Sequence, residues 1–416
     1  MTDFIRRYGA LPTVHALIFA AIVLLPVPLV DGILIPHRIY YGSILAGVLA
    51  MMAVGVGLRR KERLPWLLIA WTPFLASTLL SAAVSEDPVH GFSTMASLTV
   101  RGFVIAMVLH AILDRERVRA VAQAMVALAF LAGIDGFIEL LAGFNIPFAR
   151  YYAQMDPAFL SLLDARGGAI GTIGHPLPYG ALLAMLIPVS LALPWPRRIR
   201  IVLATGLILG LIASLSRSSL AAAALGTSLM AGVATRGSLT RRLGMAVVPL
   251  VSAVVIWTVV SSLPFGKHLK ADPGAEHHRL GAFLMAENVL SDYPLLGFGQ
   301  GQFEENYPRY RHALMSPLYP TPDNQYLRRL METGIIGFAA LLWTLGAYTM
   351  KIGRRLYFET PSVDHTLLAG LAGGLLAGCA AFFFFDGYIW LPTQFAFWSL
   401  AGAATAFSSR AAEANQ

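Results

Sequence analysis

The sequence is poor in charged residues and has almost no cysteine. Only 13% of its 416 residues are charged, about half of the roughly 25% found in typical soluble domains. The single cysteine, Cys379, lies inside an apolar run, which excludes an intramolecular disulfide and argues against a cysteine metal site or thiol redox chemistry. A soluble fold with so few solvating groups could not cover its surface, so soluble enzymes, disulfide-rich secreted modules and disordered proteins are excluded.

Long apolar runs occupy most of the chain. Hydrophobic residues make up 56% of it, and twelve membrane-spanning helices of about 20 residues each would use a similar share. The sequence therefore predicts an all-α polytopic membrane protein with about twelve transmembrane helices. We place them at residues 13–30, 39–58, 65–84, 91–112, 118–142, 176–194, 199–215, 218–234, 244–263, 334–351, 366–385 and 388–407.

The net charge of +8 is distributed as membrane topology requires, and it does not indicate nucleic-acid binding. Arg and Lys cluster in short segments between alternate apolar runs, and the segments between these clusters carry fewer of them for their length. Because cytoplasmic loops carry an excess of basic residues, both termini are expected in the cytoplasm. The clusters lie at residues 6–7, 59–63, 115–119, 197–200, 236–242, 351–355 and 410.

Two connections on the opposite side are long, at residues 143–175 and 264–333. We therefore divide the chain into residues 1–263 with helices 1 to 9, a large periplasmic loop at 264–333 with short helices, and residues 334–416 with helices 10 to 12 and a cytoplasmic tail. The apolar spacing within 279–290 predicts an amphipathic helix on the membrane surface. Pro322, Asp323 and Asn324 precede a second, capped helix.

Charged residues at the apolar runs are candidates for function. Arg217 stands between two runs with no acidic neighbour in sequence, and its planar guanidinium suits a phosphate group. Arg101 lies in mid-span at nearly the depth of Asp135 and Glu139 in the next span, so we predict a structural ion pair between the two helices.

Neither a metal nor a cofactor is predicted. His277, His278 and His312 form no His-x-x-x-His or His-Glu-x-x-His pair, and no acidic cluster lies beside them in the sequence. Residues 297–301 (GFGQG) contain alternating glycines, but no strand precedes them and no Walker lysine follows. Solvated loop histidines and a glycine-rich turn are the simpler interpretations.

Four segments together resemble the O-antigen ligase/O-antigen polymerase family, membrane glycosyltransferases of the bacterial envelope. Their order, spacing and side of the membrane agree with the family from about residue 165 to 345. The segments are Ser216-Arg217-Ser218; His278-Arg279 with residues 292–303 (DYPLLGFGQGQF); residues 323–337 (DNQYLRRLMETGIIG); and residues 171–179 around Gly174-His175-Pro176.

The resemblance implies a GT-C-like fold and a glycosyl transfer on the periplasmic face of the bacterial inner membrane. A glycan linked to undecaprenyl diphosphate would be the donor, and a hydroxyl of lipid A core or another glycan the acceptor, with membrane lipids around the protein and no nucleic-acid partner. Arg217 and Arg279 would hold the diphosphate, and Asp323 would be the base of an inverting, metal-independent reaction. Weaker candidates for substrate contacts are Arg309, Arg311, His312, Asn324 and Glu332.

Three alternatives stay open at this point. The family usually has histidine where this chain has Asp323, and because that histidine is associated more firmly with ligases, a polymerase that joins lipid-linked repeat units is the main alternative. Asp323 also suits a helix N-cap, which needs no catalytic role. A transporter would also fit the number of spans. Carriers of that type have a long central cytoplasmic loop, however, and here the central loop, residues 194–200, is short.

Overall fold

The structure is a computed structural model that describes residues 10–24, 64–145, 168–235, 237–262, 273–317, 320–358 and 362–409. The secondary structure within these ranges is helical and contains no strand, which confirms the all-α class. The helices are α1 (Ala10–Leu24), α2 (Leu64–Ala83), α3 (Pro88–Met95), α4 (Arg101–Ile112), α5 (Arg115–Ala142), α6 (Pro176–Ala192), α7 (Arg197–Ala213), α8 (Arg217–Ala234), α9 (Leu239–Ser262), α10 (Pro273–Asp292), α11 (Phe303–Tyr310), α12 (Gln325–Phe358), α13 (Val363–Ala381) and α14 (Leu391–Ser409).

In the described part of the chain, six helical segments are long and apolar enough to cross a membrane. They are Trp66–Ala83, Pro88–Ile112, Arg115–Ala142, Leu239–Ser262, Gln325–Phe358 and Val363–Ala381. The second of these joins α3 and α4 through one π-helical turn, Ala96–Val100. The predicted span at 39–58 lies outside the described residues, so twelve spans and a GT-C-like arrangement stay predictions.

Helix α6 forms the centre of the bundle. All of its residues except Leu177 and Leu191 are buried, and it packs against α5, α7, α8, α13 and α14. Small residues bring the helices around it close together. A Cβ atom at Gly226 of α8 would lie 2.3 Å from the carbonyl oxygen of Gly373 in α13. Such contacts between backbones are typical of helix packing in membranes, where tight van der Waals contact replaces the hydrophobic driving force.

The long loop contains the two predicted helices, but their details differ from the prediction. Helix α10 is present, and its apolar residues divide between two faces. Met285 and Val289 are buried in a cluster with Phe303 and Met331, whereas the Leu280 and Phe283 face is exposed. The face with Leu280 and Phe283, from which the amphipathic helix was predicted, therefore points away from the protein. The opposite face, with Met285 and Val289, packs on α11 and α12.

The second predicted helix is the first part of α12, which continues through a kink into the span predicted from residue 334. At the kink Gly334 has φ 63° and ψ −168°, a conformation that is essentially restricted to glycine. The amides of Ile335 and Ile336 donate to the carbonyl oxygens of Pro294 and Leu295 at 3.0 and 3.2 Å. The kink thereby joins the loop to the membrane-spanning part of the same helix.

The predicted ion pair of Arg101 with Asp135 or Glu139 is wrong. Arg101 donates from Nε to Oε1 of Gln394 in α14. Glu139 instead accepts hydrogen bonds from the Asn145 side chain at 2.7 Å and from the Gly171 amide at 2.8 Å. The ion pair was predicted from matching depth along two helices, but depth does not determine how each helix is rotated about its axis. In the structure the Glu139 carboxylate holds the segment that leads into α6.

The kink gives a prediction for stability. Replacing Gly334 with alanine places a Cβ atom 2.3 Å from the carbonyl carbon of Leu295 and forces alanine into a glycine conformation, at a cost of about 1–3 kcal/mol. We expect a lower thermal unfolding midpoint for Gly334→Ala in detergent. Gly346→Ala in the same helix is the matched control, because a Cβ atom there meets nothing within 4 Å. Equal midpoints for both variants would show that the kink is not under this constraint.

Candidate functional site

A buried arginine at the start of α12 is held by three carboxylates from different parts of the chain. The Arg328 side chain is 5% exposed. Its Nε donates to Glu332 at 2.9 Å, its Nη1 to Asp386 at 3.2 Å, and its Nη2 to both oxygens of Glu304 at 2.8 and 2.9 Å. Helix α11, helix α12 and the turn between α13 and α14 therefore meet at one guanidinium.

Arg329 extends this network into the core. It is fully buried and donates from Nη1 to Oε1 of Gln300. The Gln300 amide in turn donates to Oε2 of Glu332 at 3.1 Å, and Arg329 lies 3.7 Å from the same oxygen. Glu332 is thus a fully buried carboxylate that interacts with two arginines and one amide. It is connected to the cavity described below through Arg328.

Asp323 is not the cap of α12. The helix begins at Gln325, and Oδ1 of Asn324 accepts from the amides of Tyr326 and Leu327 at 2.9 and 3.1 Å. This corrects the capping interpretation of Asp323 and gives that role to Asn324. Asp323 itself has φ 46°, a left-handed conformation in which Asn, Asp and His are enriched among non-glycine residues.

Asp323 lines a cavity of 150 Å³ together with Arg328 and Asp386. Thr321 connects the Asp323 backbone to the Asp386 carboxylate, because its Oγ1 accepts from the Asp323 backbone amide at 3.2 Å and donates to Asp386 at 3.0 Å. Burial raises the pKa of Asp386, and the Asp323 charge raises it further, while Arg328 lowers it. Other described lining residues are His175, Leu177, Pro178, Glu304, Pro320, Thr321, Phe385, Ile389 and Trp390.

The cavity also has an aromatic wall. The rings of His175 and Trp390 lie 5.4 Å apart between centroids. His175 is the N-cap of α6, since its Nδ1 accepts from the Leu177 amide. The cavity therefore combines three carboxylates, a guanidinium that is bonded to two of them and a flat apolar surface at one end of α6.

Arg279 lies beside Phe384, the neighbour in sequence of a residue that lines this cavity. Its guanidinium carbon lies 5.3 Å from the ring centroid of Phe384, one residue before the lining residue Phe385. The preceding residue, His278, is bonded through Nε2 to the carbonyl oxygen of Thr321 at 2.8 Å. The predicted phosphate-binding arginine and the predicted base are thus joined through one short segment.

Arg217 lies at the same end of the bundle. It is the first residue of α8, Ser216 caps that helix, and the Arg217 guanidinium carbon is 5.8 Å from the Trp257 ring centroid. A Cβ atom at Gly180 would lie 2.7 Å from Oγ of Ser214, so the hairpin that carries Arg217 packs directly on the first turns of α6. Those turns begin at the cavity, although Arg217 is not among its described lining residues.

Three other predicted contact residues lie elsewhere in the loop. Arg309 is exposed, with its guanidinium carbon 5.2 Å from the Tyr310 ring centroid, and Arg311 donates to the carbonyl oxygen of Met315 at 3.2 Å. His312 accepts from the Leu314 amide. None of these three is a described lining residue of the cavity. The described residues also contain no group of three His, Cys, Asp or Glu side chains that could hold a metal ion.

The sequence interpretation did not single out Arg328, Glu304, Asp386 or Trp390. One signal was present, because Arg328 and Arg329 stand four and three residues before Glu332, where helix geometry pairs them. The sequence gives little indication of a functional role for Asp386, because a single acidic residue between two apolar runs is also typical of a turn. Its role depends on contact with Arg328, which is 58 positions away in the chain.

The buried network predicts a large effect on stability. Arg328→Ala would leave the buried carboxylates of Glu332 and Asp386 without their common partner, at a cost of about 3–5 kcal/mol. We expect poor accumulation of this variant or a much lower unfolding midpoint in detergent. Arg309→Ala is the control, because Arg309 is exposed. Wild-type stability of Arg328→Ala would show that water or a rearrangement compensates both carboxylates.

Comparison with known proteins agrees with the resemblance. Residues 201–342 match the family model described as O-Antigen ligase, which confirms that resemblance over this part of the chain. The matched region contains Arg217, Arg279, Asp323 and Arg328, whereas Asp386 lies beyond it. No curated protein matches the chain. The match and the membrane-spanning helices support a membrane glycosyltransferase of the O-antigen ligase/polymerase type.

Proposed function

With the O-antigen ligase match of residues 201–342 as premise, we propose that this protein transfers a glycan from undecaprenyl diphosphate to an acceptor hydroxyl. The reaction takes place on the periplasmic side of the bacterial inner membrane, and the acceptor is lipid A core or another surface glycan. The observation that carries the proposal is that Asp323 lines a polar cavity and that Asn324, not Asp323, caps α12.

Asp323 is the proposed general base. An ionised aspartate accepts the proton of the attacking hydroxyl as the bond to the anomeric carbon forms. Attack from the face opposite the leaving diphosphate inverts the anomeric centre. The cavity of 150 Å³ is smaller than the roughly 300–1,000 Å³ of whole-ligand pockets, so it suits the reacting end of the acceptor and leaves the rest of the glycan outside.

Arg279 and Arg217 are the proposed ligands of the diphosphate. Arg328 and Arg329 serve this purpose less well, because Arg328 is already paired with Glu304, Glu332 and Asp386 and because Arg329 is fully buried. Arginine binds phosphate oxygens through two parallel hydrogen bonds and stabilises the charge that develops on the leaving group. This assignment requires no metal ion to neutralise the diphosphate.

A polymerase that joins two lipid-linked repeat units is the second candidate, and the aspartate at position 323 favours it because the resemblance associates histidine there with ligases. A strain that lacks this chain distinguishes the two. Loss of a ligase leaves polymer on undecaprenyl diphosphate, whereas loss of a polymerase leaves single repeat units attached to the core. A strain with unchanged surface glycan and no accumulated lipid-linked intermediate would contradict both.

One prediction for this mechanism concerns the general base. Asp323→Asn keeps the size of the side chain and its tolerance of a left-handed backbone, so we expect unchanged stability and a rate reduced about 10²–10⁴-fold. Asp323→His is expected to retain more activity than Asp323→Asn, since the family uses histidine there. Transfer from purified lipid-linked glycan in vitro is the measurement.

Asn324→Ala is the matched control for Asp323→Asn. Loss of the helix cap is expected to cost about 1 kcal/mol of stability, with a much smaller effect on rate. If Asp323→Asn were fully active, Asp323 would not be the base.

Another prediction for this mechanism concerns binding of the diphosphate. Arg279→Ala and Arg217→Ala are expected to abolish transfer while membrane insertion is kept. Arg279→Lys should recover little activity, because a point charge does not reproduce two parallel hydrogen bonds. Arg198→Ala, at an exposed position of α7, is the control for loss of one positive charge. Near-normal glycan in both alanine variants would remove the two arginines from the mechanism.

A further inference from the structure

A second and larger cavity lies between helices α8, α9, α12, α13 and α14. Its volume is 730 Å³, and no described residue lines both this cavity and the one at Asp323. Most of its lining side chains are Leu, Ile, Val, Ala or aromatic, with Leu345, Leu356, Leu375 and Phe397 among them. It is therefore an apolar space inside the membrane-spanning part of the bundle, and the proposed reaction does not use it.

The cavity is long. Along α13 it extends from His365 to Cys379, and along α12 from Leu345 to Phe358. At a rise of about 1.5 Å per residue, each of these distances is roughly 20 Å. The hydrocarbon core of a bilayer is about 30 Å thick, so the cavity runs from one end of the helices past the middle of the membrane. This shape fits an extended hydrocarbon chain better than a compact ligand.

Two polar groups mark one end of the cavity. Arg242 lies in the first turn of α9 and His365 in the first turn of α13, and both line the cavity. No acidic residue is among its described lining residues. Because the positive-inside rule assigns this end of the bundle to the cytoplasm, its charge favours an anionic headgroup from the cytoplasmic leaflet.

His365 gives a second and independent indication of a ligand. The residue is 3% exposed, its Nε2 is bonded to the carbonyl oxygen of Leu356 at 3.2 Å, and its Nδ1 is a buried polar atom with no hydrogen-bond partner. Since the carbonyl requires a donor at Nε2, the neutral imidazole presents Nδ1 as an acceptor. Buried polar atoms in native proteins are normally satisfied, and a hydroxyl group of a lipid headgroup would satisfy this one.

We propose that this cavity binds one chain of an anionic glycerophospholipid from the cytoplasmic leaflet. The acyl chain fills the apolar space, the phosphate pairs with Arg242, and a headgroup hydroxyl donates to Nδ1 of His365. Asp364, next to His365, does not oppose the phosphate, because Arg115 and Arg119 neutralise it. The prenyl chain of the donor is the less suitable occupant, since its diphosphate would lie at the other membrane surface, far from Arg242.

Two variants test the cavity and its charged end separately. A Cβ atom at Gly353, which lines the cavity, meets nothing within 4 Å, so Gly353→Phe fills the space without a backbone clash. Gly244→Phe is its control, because Gly244 is equally open and lies about 200° around α9 from Arg242. Arg242→Gln removes the phosphate partner, and Arg241→Gln is its control, because the neighbouring Arg241 is equally exposed but is not among the described lining residues.

The measurement is native mass spectrometry of the full chain, purified in detergent and titrated with dioleoyl phosphatidylglycerol. We expect one saturable adduct, with affinity reduced about tenfold or more in Gly353→Phe and Arg242→Gln and unchanged in both controls. Dioleoyl phosphatidylcholine is expected to bind at least about tenfold more weakly, because its headgroup has no net charge and no hydroxyl.

Two outcomes would overturn the proposal. Equal binding of the two phospholipids in every variant would mean that the adduct is lipid bound nonspecifically around the protein and not in the cavity. A saturable adduct of undecaprenyl phosphate that Gly353→Phe abolishes and Arg242→Gln leaves intact would assign the cavity to the donor chain. Neither outcome bears on the transfer reaction, which Asp323 and Arg279 variants test by themselves.

Discussion

The candidate site depends on one buried guanidinium. Arg328 binds Glu304, Glu332 and Asp386, and these carboxylates come from helix α11, helix α12 and the turn after α13. A charge removed from water needs oppositely charged partners, so the ion pairs of Arg328 hold the three elements in one arrangement. Because Asp323 and Asn324 lie immediately before this helix, the position of the proposed base follows from the same interaction.

The opposite wall of the cavity is held by one carboxylate that binds backbone amides and by close helix packing. Glu139 accepts from the amides of Ile170 and Gly171, which fixes the segment that leads to His175 and α6. Helix α6 is then surrounded by α5, α7, α8, α13 and α14 at distances that only small residues permit. A rigid end of α6 thus faces a rigid start of α12, and the cavity lies between them.

The arginines of the site have two different functions. Arg328 and Arg329 are buried among acids and amides and stabilise the structure. Arg217 and Arg279 lie beside aromatic rings, with their guanidinium carbons 5.8 Å from the Trp257 centroid and 5.3 Å from the Phe384 centroid. This difference in partners separates the residues that hold the site from those that we propose to bind the diphosphate.

Composition and apolar periodicity determined the helical membrane class, and motif order determined the resemblance to O-antigen ligases that the match of residues 201–342 confirms. Eleven of the twelve predicted spans overlap helices of the described ranges, and six helical segments there are long and apolar enough to cross a membrane. Long apolar runs form helices because they have few other stable forms in a membrane. The partners of charged groups were decided only by the tertiary structure. Arg101 pairs with Gln394, Asn324 replaces Asp323 as cap, and Asp386 joins Arg328. Hydrophobicity fixes which segments cross the membrane, but the rotation of each helix decides which side chains meet, and that rotation arises only from packing.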